Sequence, residues 1–107
     1  MSDAPEEVYL TIPYRITRYG DGDLYIQMDG TNAGRPFMTR PNSGNYYAVT
    51  VNPDVFDAKY FFYTVQYLHS AGKFHKYLHG VTVQHLTIPN FHSVIHDHFM
   101  EMSKKAK

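Results

Sequence analysis

Hydrophobic and polar residues alternate most regularly in two short segments of the chain. Tyr46–Val51 is built from aromatic, β-branched and small residues, a composition that favours a strand. In residues 24–28 apolar side chains alternate with Tyr25 and Gln27, which predicts a strand with one buried face. Residues 8–18 (VYLTIPYRITR) also have strand composition, but their proline confines this strand to an edge, a bend or a bulge.

The second half of the chain changes to a helical spacing. Phe61, Val65 and Leu68 recur at three- and four-residue intervals and predict a helix over Ala58–Ser70, with Asp57 as its N-cap. Weaker signals predict a strand at 37–39, a short helix at 73–78 that ends at Gly80, a strand at 81–88 and a terminal helix at 91–102. Turn signals separate these elements at 20–23, 29–36, 41–45 and 52–54.

Because strands cluster early and helices late, we expect an α+β fold. The expected architecture is a mostly antiparallel sheet with one main helix and a C-terminal helix. A chain of 107 residues has room for one hydrophobic core. We therefore expect a disordered lead-in at 1–7, a single recognition-type domain at 8–102 and a basic tail at 103–107.

Composition narrows the class of protein. The absence of cysteine excludes disulfides, thiolate metal sites and cysteine nucleophiles, and it favours a reducing, cytoplasmic setting. The acidic start differs from a signal peptide, and no apolar run approaches the ~20 residues that span a bilayer. Aromatic residues reach 16% with ten Tyr, which suits half-buried sheets and contact surfaces.

Catalytic chemistry has little support in the sequence. Residues 29–34 lack the lysine and spacing of a phosphate-binding loop, and no serine has a nucleophile signature. We expect Asp21, Asp23 and Asp29 to be solvated loop carboxylates. His92 and His96 share a helix face, but without a convincing third ligand we assign no metal, no cofactor and no enzymatic activity.

Charge is distributed unevenly although the formal net charge is zero. Acidic residues gather in 3–29, whereas five basic residues face two acidic ones between Gly30 and Gly80. A solvated surface explains this pattern, and so does a loop surface that contacts phosphates and base edges.

Several segments, read in order, resemble a known family. GDLYI at 22–26 followed by MDGTNAGRP at 28–36 is similar to the GDI-ΦΦ-x-x-x-G-T-x-G stretch of target recognition domains in type I restriction–modification specificity subunits. NYYAV at 45–49 resembles the following strand, and DAKYFFY at 57–63 the helix after D-x-KΦΦ. GVTVQHL at 80–86 resembles the G-x-T-Q-x-x-L element, and IPNF at 88–91 the exit segment.

This resemblance implies a non-catalytic module that binds double-stranded DNA through loops and helix ends. Gln84 suits a bidentate contact with adenine. The DNA-binding residues carried over by position are Arg35, Arg40, Lys73, Lys76, Thr82, Gln84 and His85.

Two alternatives remain open. One is a protein-interaction or structural module that keeps the fold without binding DNA and docks on a larger protein assembly, for example a viral protein or one encoded by a mobile element. The neutral net charge and the abundant tyrosine favour this alternative. The other is a small metal-dependent enzyme that uses the histidines. No membrane partner is expected, and a homo-oligomer is compatible with each hypothesis.

Overall fold

The computed structural model describes residues 13–42, 44–78 and 84–105. Within them, a four-stranded antiparallel sheet packs with two helices, which confirms the predicted α+β class. The elements are β1 (Tyr14–Arg18), β2 (Leu24–Gln27), β3 (Pro36–Phe37), β4 (Tyr46–Val51), α1 (Ala58–Ser70), a short 3-10 turn (His75–Tyr77) and α2 (Ile88–Lys105).

The sheet has the order β1-β4-β2-β3, so that β4 lies between the first two strands. Val49 is opposite Ile16 on one side and opposite Leu24 on the other. Because directly opposite residues project to the same face, these side chains share the face that packs against the helices. Leu24 and Val49 are fully buried there.

The segment between β1 and β2 crosses over β4. Both strands pair antiparallel with β4 and therefore run parallel to each other, so residues 19–23 must cross β4 from the end of β1, opposite Tyr47, to the start of β2, opposite Val49. Gly22 lies directly on the backbone of Val49, where a Cβ atom would come within 2.7 Å of the Val49 carbonyl oxygen. The Gly22 N–H donates to the Tyr25 hydroxyl at 3.2 Å. The predicted turn at 20–23 is thus part of a tight crossover connection.

Helix α1 has the bounds that its apolar spacing predicts. The Asp57 carboxylate accepts from the Tyr60 N–H at 3.2 Å and provides the predicted N-cap. Its buried stripe contains the three predicted apolar residues together with Thr64, whose hydroxyl donates to the Tyr60 carbonyl at 3.0 Å.

Helix α2 begins earlier and ends later than predicted. It starts at Ile88, and the Thr87 hydroxyl accepts from the Asn90 N–H at 3.2 Å. Pro89, read from the sequence as a strand terminator, lies in the first turn, where a missing N–H costs no helical hydrogen bond. The helix continues to Lys105, into the segment assigned to a tail.

The weaker sequence signals correspond to shorter elements. The strand predicted at 37–39 overlaps β3 only at Phe37, and of the helix predicted at 73–78 only the 3-10 turn forms. Of the strand predicted at 81–88, residues 81–83, like residues 79–80 before them, lie outside the described residues. In the remainder His85 forms an isolated bridge with Asp29, and Ile88 already belongs to α2. The lead-in at 1–7, residues 8–12 of the first predicted strand and residues 106–107 also lie outside the described part of the chain.

In the residues described, neither helix is long and apolar enough to cross a membrane.

Candidate nucleic-acid interface

Three loops that are distant in sequence meet at one end of the molecule: residues 28–35 after β2, 71–78 after α1 and 84–87 before α2. We call this surface the three-loop face. The first and third loops are joined by backbone hydrogen bonds, from the Gly30 N–H to the Gln84 carbonyl at 2.8 Å and from the Leu86 N–H to the Met28 carbonyl at 2.9 Å. These bonds continue the edge of the sheet into the segment that precedes α2.

The second loop is held against the first by the contact of Phe74 with Gly34. Phe74 is 1% exposed, and its ring stacks on that of Phe91 at a centroid distance of 5.7 Å and an interplanar angle of 7°. Gly34 has a φ of +99°, and a Cβ atom there would lie 2.6 Å from the Phe74 ring. Only glycine therefore allows the two loops to approach this closely.

Positive groups predominate on the three-loop face. It contains Arg35, Lys73 and Lys76, with His75 and His85, and a single carboxylate, that of Asp29. Among the described residues, ion pairs within 4 Å involve Arg40, His85 and His96 but none of the three cations of this face. Those cations are available to an anionic partner.

The carboxylate of Asp29 is engaged inside the face. It accepts from Asn45 Nδ2 at 2.6 Å and lies 2.7 Å from His85 Nδ1. Partial burial by itself raises the pKa of the Asp29 carboxyl, but the hydrogen bonds from His85 and Asn45 and the charges of His85 and Arg18 outweigh it and hold this pKa below its ordinary value. Asp29 therefore stays ionised and ties the third loop to the first. It is a structural carboxylate, and the expectation of a solvated one is wrong.

Asp21 and Asp23 differ in their surroundings. Asp23 is exposed, as expected, but its carboxylate also accepts from the Val51 N–H at 2.8 Å and so fixes the crossover to β4. Asp21 is exposed, as expected, and accepts from Arg40 Nη1 at 2.9 Å.

Arg35 contributes positive potential near the end of α1. Its guanidinium lies 5.2 Å from the centroid of the Phe37 ring. Burial, followed by the positive charges of Arg35 and His75, lowers the pKa of His69. His69 is consequently held in its neutral form at pH 7.

Lys73 and Lys76 line an open cleft of about 500 Å³ between the end of α1 and α2. The Lys76 ammonium lies 5.3 Å from the centroid of the Tyr77 ring. Asp97, Glu101 and Lys104 of α2 line the same cleft, so its opposite wall carries two carboxylates and one ammonium group.

The structure brings together most, but not all, of the residues that the sequence proposes for DNA. Arg40 lies outside the three-loop face because it pairs with Asp21 beside the crossover. The side-chain oxygen of Gln84 is buried and has no hydrogen-bond partner in the described residues, so a contact with adenine requires the carboxamide to turn outward. Thr82 lies outside the described residues.

Sequence reasoning missed the polar support of this face. Arg18 projects from β1 on the core side and its guanidinium lies 3.8 Å from the Met28 sulfur. The Tyr47 hydroxyl donates to the Leu86 carbonyl at 2.7 Å, a contact that anchors the third loop. Strand alternation places Arg18 and Tyr47 on the buried face, and a charged or hydroxylated residue at such a position was the available signal.

Histidines do not converge on a metal-binding arrangement in the residues described. No group of three or more His, Asp or Glu side chains is placed to hold a metal ion there. His92 instead lies beside Tyr14, with Nδ1 2.6 Å from the tyrosine hydroxyl. Burial lowers the pKa of His92 and raises that of Tyr14.

The fold and this surface define a small α+β domain with a basic face built from loops. By its match over residues 14–107, the chain belongs to a family of unknown function, DUF6943. No curated protein and no solved structure matches the chain.

Proposed function

We propose that the chain is a cytoplasmic, non-catalytic recognition module that binds double-stranded DNA through the three-loop face, as its resemblance to restriction-system target recognition domains implies. The observation that carries the proposal is that the contact of Gly34 with Phe74 brings the loop of Arg35 next to the loop of Lys73 and Lys76. The one carboxylate within the three loops, that of Asp29, is already engaged, and Asp97 and Glu101 of α2 line the same cleft as the two lysines. Phosphate contacts from clustered cations supply most non-specific DNA affinity.

Each residue of the face has a separate role in this proposal. Arg35, Lys73 and Lys76 hold phosphates, while His85 and Gln84 contact base edges. Thr82 joins these base contacts only by its position in the resemblance, since it lies outside the described residues. Arg40 takes a peripheral part, because Asp21 already compensates its charge at 2.9 Å. Three phosphate contacts predict a slope of log K against log salt of about −2.7, which is about −0.9 for each contact.

Fluorescence anisotropy with a randomised duplex at several salt concentrations tests the proposal. Lys73→Ala should weaken binding to all sequences alike and make the slope shallower by about one. Arg40→Ala should change the slope much less. Arg15→Ala, which removes an exposed cation from β1, is the matched control and should bind like the wild type. Duplex affinity weaker than about 10⁻⁴ M at low salt, below ordinary non-specific binding, would refute the proposal.

Base contacts need a separate measurement because they leave the salt slope unchanged. Gln84→Ala should relax sequence preference at a cost of about 1–3 kcal/mol for the preferred site. An unchanged preference would remove Gln84 from the contacts and leave the phosphate contacts in place.

A protein-interaction module is the second candidate, and a specific observation favours it. Helix α1 exposes Tyr60, Tyr63 and Tyr67, which are 45%, 56% and 58% accessible. Tyrosine is enriched at protein interfaces. A partner bound through this helix would be lost on substitution of Tyr63 and would be insensitive to Lys73→Ala, the opposite of the pattern expected for duplex DNA.

A further inference from the structure

Three exposed tyrosines form one continuous strip on α1. Tyr60, Tyr63 and Tyr67 stand three and four residues apart, and at 3.6 residues per turn they fall within an arc of about 60°. Their side chains remain 45–58% accessible although each is large and apolar. We call this strip the tyrosine face.

Each of these tyrosines has an aromatic neighbour. Tyr60 lies 5.8 Å from Phe56 and Tyr63 lies 5.3 Å from Phe62, while Tyr67 lies 6.1 Å from His98 of α2, all as centroid distances. Rings held by aromatic neighbours lose less conformational entropy when a ligand stacks on them. The tyrosine face is therefore a pre-organised apolar surface.

The charge around the tyrosine face specifies the chemistry of its partner. Residues 58–78 contain Lys59, Lys73 and Lys76 and no aspartate or glutamate. Tyr67 lines the same cleft as Lys73 and Lys76, so the strip of rings leads directly to the two lysines. The cleft also contains Lys104, Asp97 and Glu101, so its three lysines exceed its two carboxylates by one charge. Aromatic rings followed by a cleft with this excess of positive charge are complementary to a ligand with flat, apolar faces and a chain of negative charges.

We infer that the tyrosine face binds an unpaired nucleic-acid strand, with bases stacked on the tyrosine rings and phosphates on Lys73 and Lys76. This inference rests on the proposed function because Lys73 and Lys76 bind phosphates in both. Successive tyrosines are about 4.5 and 6 Å apart along the helix axis, from the rise of 1.5 Å per residue. Stacked nucleotides in a duplex strand are about 3.4 Å apart, so one base per ring requires a strand whose bases have separated. A duplex hides the faces of its bases, whereas an unpaired strand offers them.

The test compares a labelled oligothymidylate of about 12 nucleotides, within the usual site size of single-strand binders, with a randomised duplex. Tyr63→Leu and Tyr67→Leu should each weaken single-strand binding about tenfold or more, since a base stacked on an aromatic ring contributes substantially to affinity. Duplex binding should stay unchanged. Tyr63→Phe keeps the ring and should bind like the wild type.

The control is Tyr19→Leu, which removes an equally exposed tyrosine, at 45%, from the crossover. It should leave oligothymidylate binding unchanged. A second readout needs no variant: the chain contains ten Tyr and no Trp, so stacking should quench its intrinsic tyrosine fluorescence. Circular dichroism melting establishes that each variant is folded at the assay temperature.

The outcomes separate this inference from the proposed function. Duplex binding without single-strand binding, or equal losses in Tyr63→Leu and Tyr19→Leu, would overturn the inference and leave the proposed function in place. Single-strand binding that depends on Tyr63 and Tyr67, with no duplex binding, would support the inference and overturn duplex recognition. Binding of neither probe would overturn both and favour a protein partner for the tyrosine face.

Discussion

Gly34→Ala tests the contact on which the three-loop face depends. Gly34 has a φ of +99°, and a Cβ atom would lie 2.6 and 2.7 Å from two carbons of the Phe74 ring. Phe74 cannot turn aside easily, because its ring is buried and stacked on Phe91 at 5.7 Å. The substitution must therefore either strain the first loop or push the second loop away from it.

Two costs add in this variant. A non-glycine residue in the left-handed region costs about 1–2 kcal/mol, and overpacking a well-filled core costs about 1–3 kcal/mol. We expect Gly34→Ala to lower the free energy of unfolding by about 2–5 kcal/mol. Small domains have total stabilities of about 5–15 kcal/mol, so a loss of this size is a large and measurable fraction of the total.

Gly72→Ala is the matched control for the backbone cost. Gly72 also has a positive φ, +75°, but nothing lies within 4 Å of a Cβ atom built there. Gly72→Ala should therefore lower the free energy of unfolding by about 1–2 kcal/mol only. Urea unfolding followed by circular dichroism gives both values from the shift in midpoint and the m-value. Equal losses in the two variants would show that Phe74 moves freely and that the contact does not hold the loops together.

Three further predictions concern other parts of the fold. Gly22→Ala would bring a Cβ atom within 2.7 Å of the Val49 carbonyl oxygen, so it should lower the free energy of unfolding, measured in urea, by about 1–3 kcal/mol. An unchanged urea midpoint would mean that the crossover shifts without strain. The pKa of Asp29 is lowered on folding, so the stabilisation from its ionised form is present above about pH 4 and is lost as the pH falls through the folded pKa. Asp29→Asn should therefore flatten the acid side of a plot of melting temperature against pH. A curve parallel to that of the wild type would contradict this. Burial lowers the pKa of His92, so the unfolded chain binds a proton more readily at this residue than the folded chain does, and stability should fall as the pH drops below about 6.5. His92→Gln should reduce that fall. An identical pH dependence in the variant would show that other groups cause the fall.

Local features of the chain were predictable where one periodicity dominates. The bounds of α1 and its N-cap at Asp57 follow from apolar spacing and capping chemistry, and β4 follows from its β-branched and aromatic run. The start of α2 was missed because Pro89 fits both a strand terminator and a first helical turn. Only the tertiary context, with Thr87 accepting from the Asn90 N–H, decides between them.

Long-range pairing was not predictable from the pattern. Nothing in residues 14–27 indicates that β4 inserts between β1 and β2, because strand order depends on which buried faces and edges meet in three dimensions. Gly22 looked like one of several turn glycines. Glycine is required at this position because the backbone passes close to Val49, and only the crossover seen in the structure reveals that approach.

In the candidate site, too, local features were predictable from the sequence and long-range contacts were not. Clustering of basic residues between 30 and 80 was visible in the sequence, but the contact of Phe74 with Gly34 that assembles three of them was not. His85 was grouped with the basic residues through the resemblance alone, and its pairing with Asp29 at 2.7 Å was missed. Ion pairs between residues far apart in sequence leave no periodic signal.

A net charge of zero does not argue against an anionic partner for this chain, because its charges are used differently. Asp23, Asp29 and Asp57 accept hydrogen bonds that hold, respectively, the crossover, the third loop and the start of α1. A carboxylate held in this way keeps its charge but is fixed in place, so it cannot move to form an ion pair with a more distant cation. Lys73 and Lys76 take part in no ion pair within 4 Å among the described residues. The field over the three-loop face therefore depends on its local charges rather than on the total charge, and the duplex binding that we propose should weaken as salt rises.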